Sequence, residues 1–272
     1  MKILKASNFI DYIQKGGTTR PWIILVLDDN KEIPYIVKLT NLKDNKDQHP
    51  VFKEVVGNVL AREFSLRVPD MALISFTKDF VDFALDSEQR EILSKKHTGL
   101  KFSTLYLESA IIYTPSIHRY LIKNYDFANL FAFDVLLYNF DRGRRPEKPN
   151  ILIENDEFVL IDHELSLPFI DNENSLLNTI YKKLENFEID YDYKQHLSYP
   201  YLKNLSESDK LNLFDEFEEL LSKLNVQSIE KIILELHELD ISCGFSHRFI
   251  EYLYFLKHNS HRFCRALLRC IA

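Results

Sequence analysis

The chain has 272 residues, which is enough for one large core or two lobes without a disulfide or a structural metal. Its formal net charge of −7 and its scattered Lys and Arg residues argue against direct nucleic-acid binding. Its three cysteines lie near the C-terminus without CxxC spacing, which argues against a disulfide framework or a zinc site. Because no stretch has the roughly 18 to 20 apolar residues of a membrane span, and the start lacks a signal-peptide core, we expect a cytoplasmic protein without membrane contact.

The first part of the chain has the pattern of strands followed by a helix. Two runs rich in branched residues, 22–27 and 33–39, flank a polar turn and predict a β-hairpin behind the glycine-containing segment 16–21. Apolar residues recur at spacings of three and four over 51–64, which predicts a helix, and "MALIS" then predicts a third strand. We therefore expect a small sheet with one helix in residues 1–110.

The second part is predicted to be mostly helical. The segment "SIHRYLIKNYDFANLFAFDVLLYNF" is long and apolar, as in a buried helix, and two short β-type runs, "ILI" and "FVLID", follow it. Apolar stripes over 211–224 and 229–239 predict two more helices that face the core, whereas the polar segment 171–207 is predicted to be a long surface insertion. The expected class is α+β, with a second lobe over residues 111–272.

Three polar residues between these elements have the chemistry that phosphoryl transfer requires. Asn150 directly precedes "ILI" and Asp162 ends "FVLID", so a hairpin would place both side chains at one end, where their oxygens suit Mg²⁺. Asp141, in the polar loop before the hairpin, could accept a proton from a hydroxyl or orient it. Alternatively, each of these residues only caps a turn, because Asp and Asn are common there.

The chain resembles the HipA-like kinases, bacterial relatives of the eukaryotic protein kinase fold, in a compact form without the N-terminal domain of larger members. The matching pieces are "GGTTRP", "YIVK", "EVVGNVLAREFSLRVPDMALI" and "FDVLLYNFDR…KPNILI…FVLIDHE". The resemblance implies a bilobal protein-kinase-like fold with ATP and Mg²⁺ as cofactors. It implies that Lys38 binds the α- and β-phosphates and that Glu54 is the partner of Lys38. It also implies that Asp141 is the catalytic carboxylate and that Asn150 and Asp162 are Mg²⁺ ligands. Glu63, on the same predicted helix as Glu54, is an alternative acid that fits less well.

The resemblance also assigns segments that would contact the nucleotide. The loop with Gly16, Gly17, Thr18 and Thr19 would cover the phosphates, and either threonine could be autophosphorylated, as a hydroxyl residue in this region is in several HipA-like kinases. The adenine is expected against the linker 105–110, which includes Glu108. Arg142 either steadies the Asp141 carboxylate or a phosphate, or is a solvated loop residue.

The spacing of the catalytic loop departs from the usual kinase pattern. Asn150 lies nine positions after Asp141, whereas kinases place this asparagine five positions after the aspartate. The segment "GRRPEKP" therefore carries an insertion, and an alternative alignment puts Lys148 at the asparagine position. We favour Asn150 because it immediately precedes the strand. If Lys148 replaces it, metal binding weakens and the kinase is degenerate.

Three functions are consistent with these features. The leading hypothesis is a serine/threonine protein kinase, toxin-like by resemblance, with a protein hydroxyl as substrate and an antitoxin or regulatory partner. The alternatives are a small-molecule kinase, which uses the same Asp, Asn and Asp residues, and a degenerate nucleotide-binding module. An acidic pocket formed by 171–207 would favour a cationic small substrate, and an open groove would favour a protein.

Overall fold

Five strands of the N-terminal part close into a barrel. The computed structural model describes residues 1–13, 20–29, 31–114, 124–143, 149–172 and 176–272. The barrel strands are β1 (Ile3–Tyr12), β2 (Trp22–Asp28), β3 (Lys31–Val37), β4 (Met71–Ser75) and β5 (Lys101–Leu105). They are arranged in the order β1, β2, β3, β5, β4, and β4 pairs with β1 in parallel to complete the ring. This pairing joins the two edge strands of what was expected to be an open sheet.

The expected hairpin in this region is confirmed as β2 and β3. The two strands pair antiparallel from Trp22 opposite Val37 to Asp28 opposite Lys31. Alternate residues point inward, so that Trp22, Ile24 and Val26 are fully buried. These side chains pack with residues from β1, β3 and β4 into a core of the barrel's own. The pattern of branched residues predicted this hairpin correctly, but it did not indicate β1, β5 or the closure of the barrel.

Several helical elements accompany the barrel rather than one. They are α1 (Leu42–Asp47), α2 (Pro50–Glu63), a π-helix (Phe80–Ala84) and α3 (Ser87–Ser94). The helix expected over 51–64 is confirmed as α2, which begins with a proline, a residue suited to the first turn because its missing N–H would have no helical partner there. The apolar side chains of α2 belong to the core of the C-terminal helices, which also includes Leu73 of β4 and Phe102 of β5, and not to the separate cluster inside the barrel.

The second part begins with a buried helix and a small sheet. The structure describes α4 as Asn124–Leu137, and every residue from Phe127 to Tyr138 is buried, as expected for this apolar segment. Strands β6 (Ile111–Ile112), β7 (Ile151–Glu154) and β8 (Glu157–Leu160) form a three-stranded sheet. The antiparallel pair β7 and β8 is the hairpin predicted between Asn150 and Asp162.

Helices make up most of the remaining chain. They are α5 (Leu176–Glu185), α6 (Tyr199–Lys203), α7 (Glu207–Lys210), α8 (Asp215–Lys223), α9 (Val226–Glu238), α10 (Ser246–His258) and α11 (Ser260–Ile271), with short 3-10 turns at Pro168–Ile170 and Tyr193–Gln195. The two predicted stripes face the core in α8 and α9, except that Leu211 is 72% exposed. Among the helices that the structure describes, none is long and apolar enough to cross a membrane. The α+β class is confirmed.

The segment 171–207 is not a surface insertion, and that expectation was wrong. Its described residues include α5, which buries Leu177, Ile180 and Leu184 in the core of the helical part. His196, from the turn that follows, is 2% exposed. The polar composition misled because apolar residues at spacings of three and four in α5 are diluted by surrounding Asn, Asp and Lys.

Candidate active site

The ammonium of Lys38 connects three elements of the fold. Lys38 directly follows β3, and its N–H donates to the Phe102 carbonyl of β5 at 3.2 Å, which fixes its backbone in the barrel. Its Nζ donates to Glu54 Oε1 of α2 and, at 2.8 Å, to Asp162 Oδ1 after β8. Burial lowers the pKa of Lys38, but the carboxylates of Asp162 and Glu54 outweigh burial, so the net shift is upward and the group is charged.

Glu54 is buried at 2% exposure and is bonded through both oxygens. Oε1 accepts from Lys38, and Oε2 accepts from the backbone N–H of His163 at 3.1 Å. Burial opposes ionisation, yet the Lys38 ammonium and the His163 side chain, whose Nδ1 lies 3.6 Å from Oε2, lower the pKa of Glu54 to about 2. Glu54 is therefore an anion at neutral pH that links the lysine to the segment carrying Asp162. Glu63, the alternative acid, is exposed at the far end of α2.

The hairpin brings Asn150 and the Asp162 segment together, as its length predicted. The Ile161 N–H donates to the Asn150 carbonyl at 3.2 Å, so the two ends of the hairpin are adjacent. Asn150 and Asp162 both have left-handed backbone conformations, with φ of 53° and 66°. Asn and Asp adopt this region more readily than other residues with a Cβ, because their short side chains bond locally. The conformation ends each strand with its polar side chain at the same edge.

Asp141 contacts Asn150 directly despite the nine-residue spacing. The Asn150 amide nitrogen Nδ2 donates to Asp141 Oδ2 at 2.8 Å. That contact uses the nitrogen of the amide and leaves the oxygen Oδ1, the atom with which an asparagine binds a cation. Lys148, the alternative candidate, lies outside the described residues. Asn150 is thus a neighbour of the predicted catalytic aspartate, as the favoured alignment requires.

Comparison with known proteins identifies the family of the chain. A protein-family profile described as HipA-like kinase matches residues 9–210, which is most of the chain. The chain belongs to the HipA-like kinase family. A solved structure, the crystal structure of the Helicobacter pylori proinflammatory kinase CtkA, is 15% identical with a TM-score of 0.49, over 97% of this chain and 97% of that one. No curated protein matches. The resemblance based on the motifs is confirmed by the profile.

Glu164 lies in the candidate site of this HipA-like kinase, and the sequence analysis missed it. Ligand oxygens of Glu54, Asp162 and Glu164 lie within 4.8 Å of one another, so the three carboxylates could hold a metal ion. Burial raises the pKa of Glu164 to about 7; Lys38 opposes the rise, whereas Asp162, Glu54 and Asp141 add to it. An acid two positions after Asp162 was the available signal.

The donor atoms of this cluster suit the magnesium that the family implies. Mg²⁺ prefers hard oxygen ligands and keeps several waters, so one or two carboxylates and an amide oxygen are sufficient. Asp162 and Glu164 would supply carboxylates, and Asn150, across the hairpin from Asp162, would supply an amide oxygen. Glu54 already neutralises Lys38 and accepts from His163, so it is the least suitable of the nearby acids. The described residues therefore fit the metal.

Arg142 is neither a solvated loop residue nor a partner of the Asp141 side chain. It is 1% exposed, and its Nε donates to Asp134 Oδ2 at 2.6 Å. Its Nη1 donates to the carbonyls of Pro149, at 3.3 Å, and Asn150. Of the two alternatives left open for Arg142, the solvated loop residue was wrong. Its partner Asp134 was missed because this aspartate lies on α4, within an apolar run of the sequence.

The structure does not place the remaining predicted site residues beside Lys38. Gly16, Gly17, Thr18 and Thr19 lie outside the described residues. Glu108 is exposed in the turn between β5 and β6, so its predicted contact with the nucleotide stays a prediction.

The cavities found beside Lys38 among the described residues are small. One of about 30 Å³ lies between β3, β5 and the hairpin, and one of about 60 Å³ lies between Lys38 and Glu164. Sites for small molecules usually measure about 300 to 1,000 Å³. A larger groove of about 540 Å³ runs along α11, but it contains none of the predicted site residues. We place the candidate site at the small cavities, because the convergent charges lie there.

Proposed function

We propose that the chain is an ATP- and Mg²⁺-dependent serine/threonine protein kinase. The observation that carries the proposal is the Lys38 ammonium, which is bonded to Glu54 and Asp162 from two other elements. Phosphoryl transfer needs such a preorganised cation at the phosphates, an acidic metal site and a carboxylate near the acceptor hydroxyl. Lys38, Asp162 with Asn150, and Asp141 are proposed for these roles in that order.

The proposed mechanism follows from the charges of these side chains. Bound Mg²⁺ would neutralise charge on the phosphates of ATP. Lys38 orients the phosphates and stabilises their developing negative charge, while Glu54 keeps the ammonium in place. Asp141 accepts a hydrogen bond from the acceptor hydroxyl and then its proton, and Asn150 fixes the orientation of that carboxylate. Asp162 would exchange its bond to Lys38 for the metal.

A protein acceptor is supported over a cationic small molecule. The small-molecule hypothesis relied on an acidic pocket built by residues 171–207. The described part of that segment packs into the core through α5 and α6 instead. Together with the family membership, this favours a protein hydroxyl. We extend the proposal to action in the cytoplasm, where ATP is supplied, under an antitoxin or regulatory partner, as the family resemblance implies.

Phosphate transfer from γ-labelled ATP tests the proposal. Wild type, Asp141→Asn and Asp162→Asn are compared on a mixture of protein acceptors and on aminoglycosides, followed by phosphoamino-acid analysis. Loss of a general base reduces turnover by about 100- to 10,000-fold, and both variants should lose activity while staying folded. Asp156→Asn, in the exposed hairpin turn, is the matched control.

Each alternative has its own result. Labelling of the small molecules alone would favour the second function, and ATP binding without transfer to any acceptor would favour the degenerate module. Undiminished turnover in Asp141→Asn would reject the proposed catalytic role. Intact mass after incubation with ATP tests phosphorylation of Thr18 or Thr19, which Thr→Val substitutions should remove.

A further inference from the structure

A single buried carboxylate, Asp134 of α4, collects three side-chain donors beneath the catalytic loop. It is fully buried and accepts from Arg142 Nε at 2.6 Å, from His196 Nε2 at 2.9 Å and from Asn139 Nδ2 at 3.0 Å. A buried carboxylate is costly unless it is paired and hydrogen-bonded. Burial would raise the pKa of Asp134, but Arg142 and His196 outweigh burial and lower it, so the group is an anion.

Two of these donors hold the two ends of the catalytic loop. The Asn139 side chain accepts, through Oδ1, from the backbone N–H of Asp141 at 3.2 Å. Arg142 donates through Nη1 to the carbonyls of Pro149 and Asn150. Asp134 therefore connects to the residue at each end of the nine-residue spacing. This explains how Asp141 and Asn150 come within hydrogen-bonding distance although the loop is longer than in other kinases.

The third donor, His196, comes from a distant part of the chain. Its Nδ1 accepts from the backbone N–H of Ser198 at 3.1 Å, so its proton is on Nε2, the nitrogen that faces Asp134. The ring packs edge-on against Phe131 with centroids 5.3 Å apart. A neutral donor suits this position, because Arg142 already balances the charge of Asp134.

Gly143, in the catalytic loop, lies in close contact with the backbone around His196. A Cβ built there would lie 2.5 Å from the Gln195 carbonyl oxygen and 2.5 Å from the Leu197 nitrogen. The φ of Gly143 is +116°, a conformation that glycine adopts most readily. The backbone of 195–197 thus packs directly on the loop next to Arg142.

We propose that Asp134 and His196 are positioning residues that set the geometry of Asp141 and Asn150. The inference rests on the proposed function, since it assumes that these two residues act in catalysis and metal binding. Neither Asp134 nor His196 touches Lys38 or Glu54. Loss of the His196 donor should therefore lower kcat and raise the Mg²⁺ concentration for half-maximal activity, while KM for ATP changes little.

Substitution of His196 separates positioning from packing. His196→Phe keeps a ring against Phe131 but removes the donor, and loss of such a supporting hydrogen bond typically reduces activity or metal affinity by about 10- to 100-fold. His196→Gln should restore most of kcat, because its amide nitrogen is three bonds from Cβ, as Nε2 of histidine is. Ile233→Ala, in the buried face of α9, is the stability control.

The readouts are kcat, KM for ATP, the Mg²⁺ dependence and the melting temperature. A lowered kcat with raised Mg²⁺ requirement in His196→Phe, absent from Ile233→Ala at equal loss of stability, is expected. If His196→Phe does not fold, His196→Asn replaces it. The asparagine side chain is one bond shorter than that of glutamine, so its amide does not reach Asp134. Equal kcat and Mg²⁺ dependence in the Gln and donor-lacking variants would overturn the inference.

Asp141→Asn in the same experiment separates this inference from the proposed function. If Asp141→Asn is inactive but the His196 variants behave as wild type, only the positioning roles are rejected. If Asp141→Asn is fully active, the proposed function is rejected, and the positioning roles with it.

Discussion

Lys53 and Asp171 form an ion pair, with Nζ and Oδ2 2.7 Å apart, that ties the first turns of α2 to the segment after Asp162. The Lys53 side chain is 3% exposed and that of Asp171 is 21% exposed. Burial lowers the pKa of Lys53 and raises that of Asp171, and their mutual attraction opposes both shifts. The residue before Glu54 thus anchors α2 to the C-terminal part of the molecule.

Removing Asp171 should destabilise the protein strongly. Asp171→Ala leaves the Lys53 charge buried without a partner, and breaking a buried pair in this way costs about 3 kcal/mol or more of the free energy of unfolding. Urea denaturation measures the loss. Asp70→Ala, which removes the partner of Arg62 in an exposed pair, is the control and should cost less than about 1 kcal/mol. Similar losses in the two variants would show that the Lys53 pair is dispensable.

Gly57→Ala should damage both stability and activity. In a helix, alanine is normally favoured over glycine by about 1 kcal/mol. Here, however, the new Cβ would lie 2.6 Å from both Cβ and Cγ of the buried His163, whose N–H binds Glu54. Thermal denaturation and KM for ATP are the measurements. Adding His163→Gly should recover part of the lost stability, and a Gly57→Ala variant more stable than wild type would contradict the steric argument.

Deprotonation of Glu164 should make the protein without metal and nucleotide less stable as the pH rises. Its pKa is about 7 in the folded protein against about 4.5 normally, so between these values the folded state binds the proton more tightly than the unfolded state. The free energy of unfolding therefore falls with rising pH over this window, by at most about 1.4 kcal/mol per pH unit.

Urea denaturation in EDTA from pH 4.5 to 7, without nucleotide, measures this dependence. Glu164→Gln should lack this component of the slope, whereas Glu185→Gln, at an exposed position at the end of α5, should keep it. Parallel stability profiles for wild type and Glu164→Gln would mean that Glu164 titrates normally.

Glu54 and Glu63 lie on the same helix, but their substitution by alanine should have very different effects on KM for ATP and on stability. Glu54→Ala leaves the His163 N–H without its acceptor, at a cost of about 1 to 3 kcal/mol, and frees Lys38 to bind Asp162 alone. We expect a raised KM for ATP and reduced stability. Glu63→Ala, at an exposed position, should match wild type in both. A larger effect at Glu63 would support the alternative assignment of the acid.

Local patterns predicted the hairpins, α2 and the Asn150 to Asp162 relationship, because strand period and hairpin length are set by near neighbours in the chain. Contacts between distant residues left no such signal. Asp134 lies in an apolar helix and His196 in a polar segment, so no local pattern in the sequence predicts the hydrogen bond between them. The same limitation hid the pairing of β1 with β4 that closes the barrel, and the clustering of Glu164 with Glu54.

Aromatic contacts at both ends of α2 tie it to the C-terminal helices. Phe52 meets Phe249 of α10, and Phe64 stacks on Phe217 of α8 with ring centroids 4.4 Å apart. Swinging α2 outward, the familiar way of switching off a protein kinase, would expose these rings at about 1.5 to 3 kcal/mol each.

The barrel has its own core, and the described cavities beside Lys38 are too small for ATP. Lys38 follows a strand of the barrel, whereas Glu54 lies on α2 and Asp162 follows β8, so a barrel that moved away from the helices would break both ion pairs of Lys38.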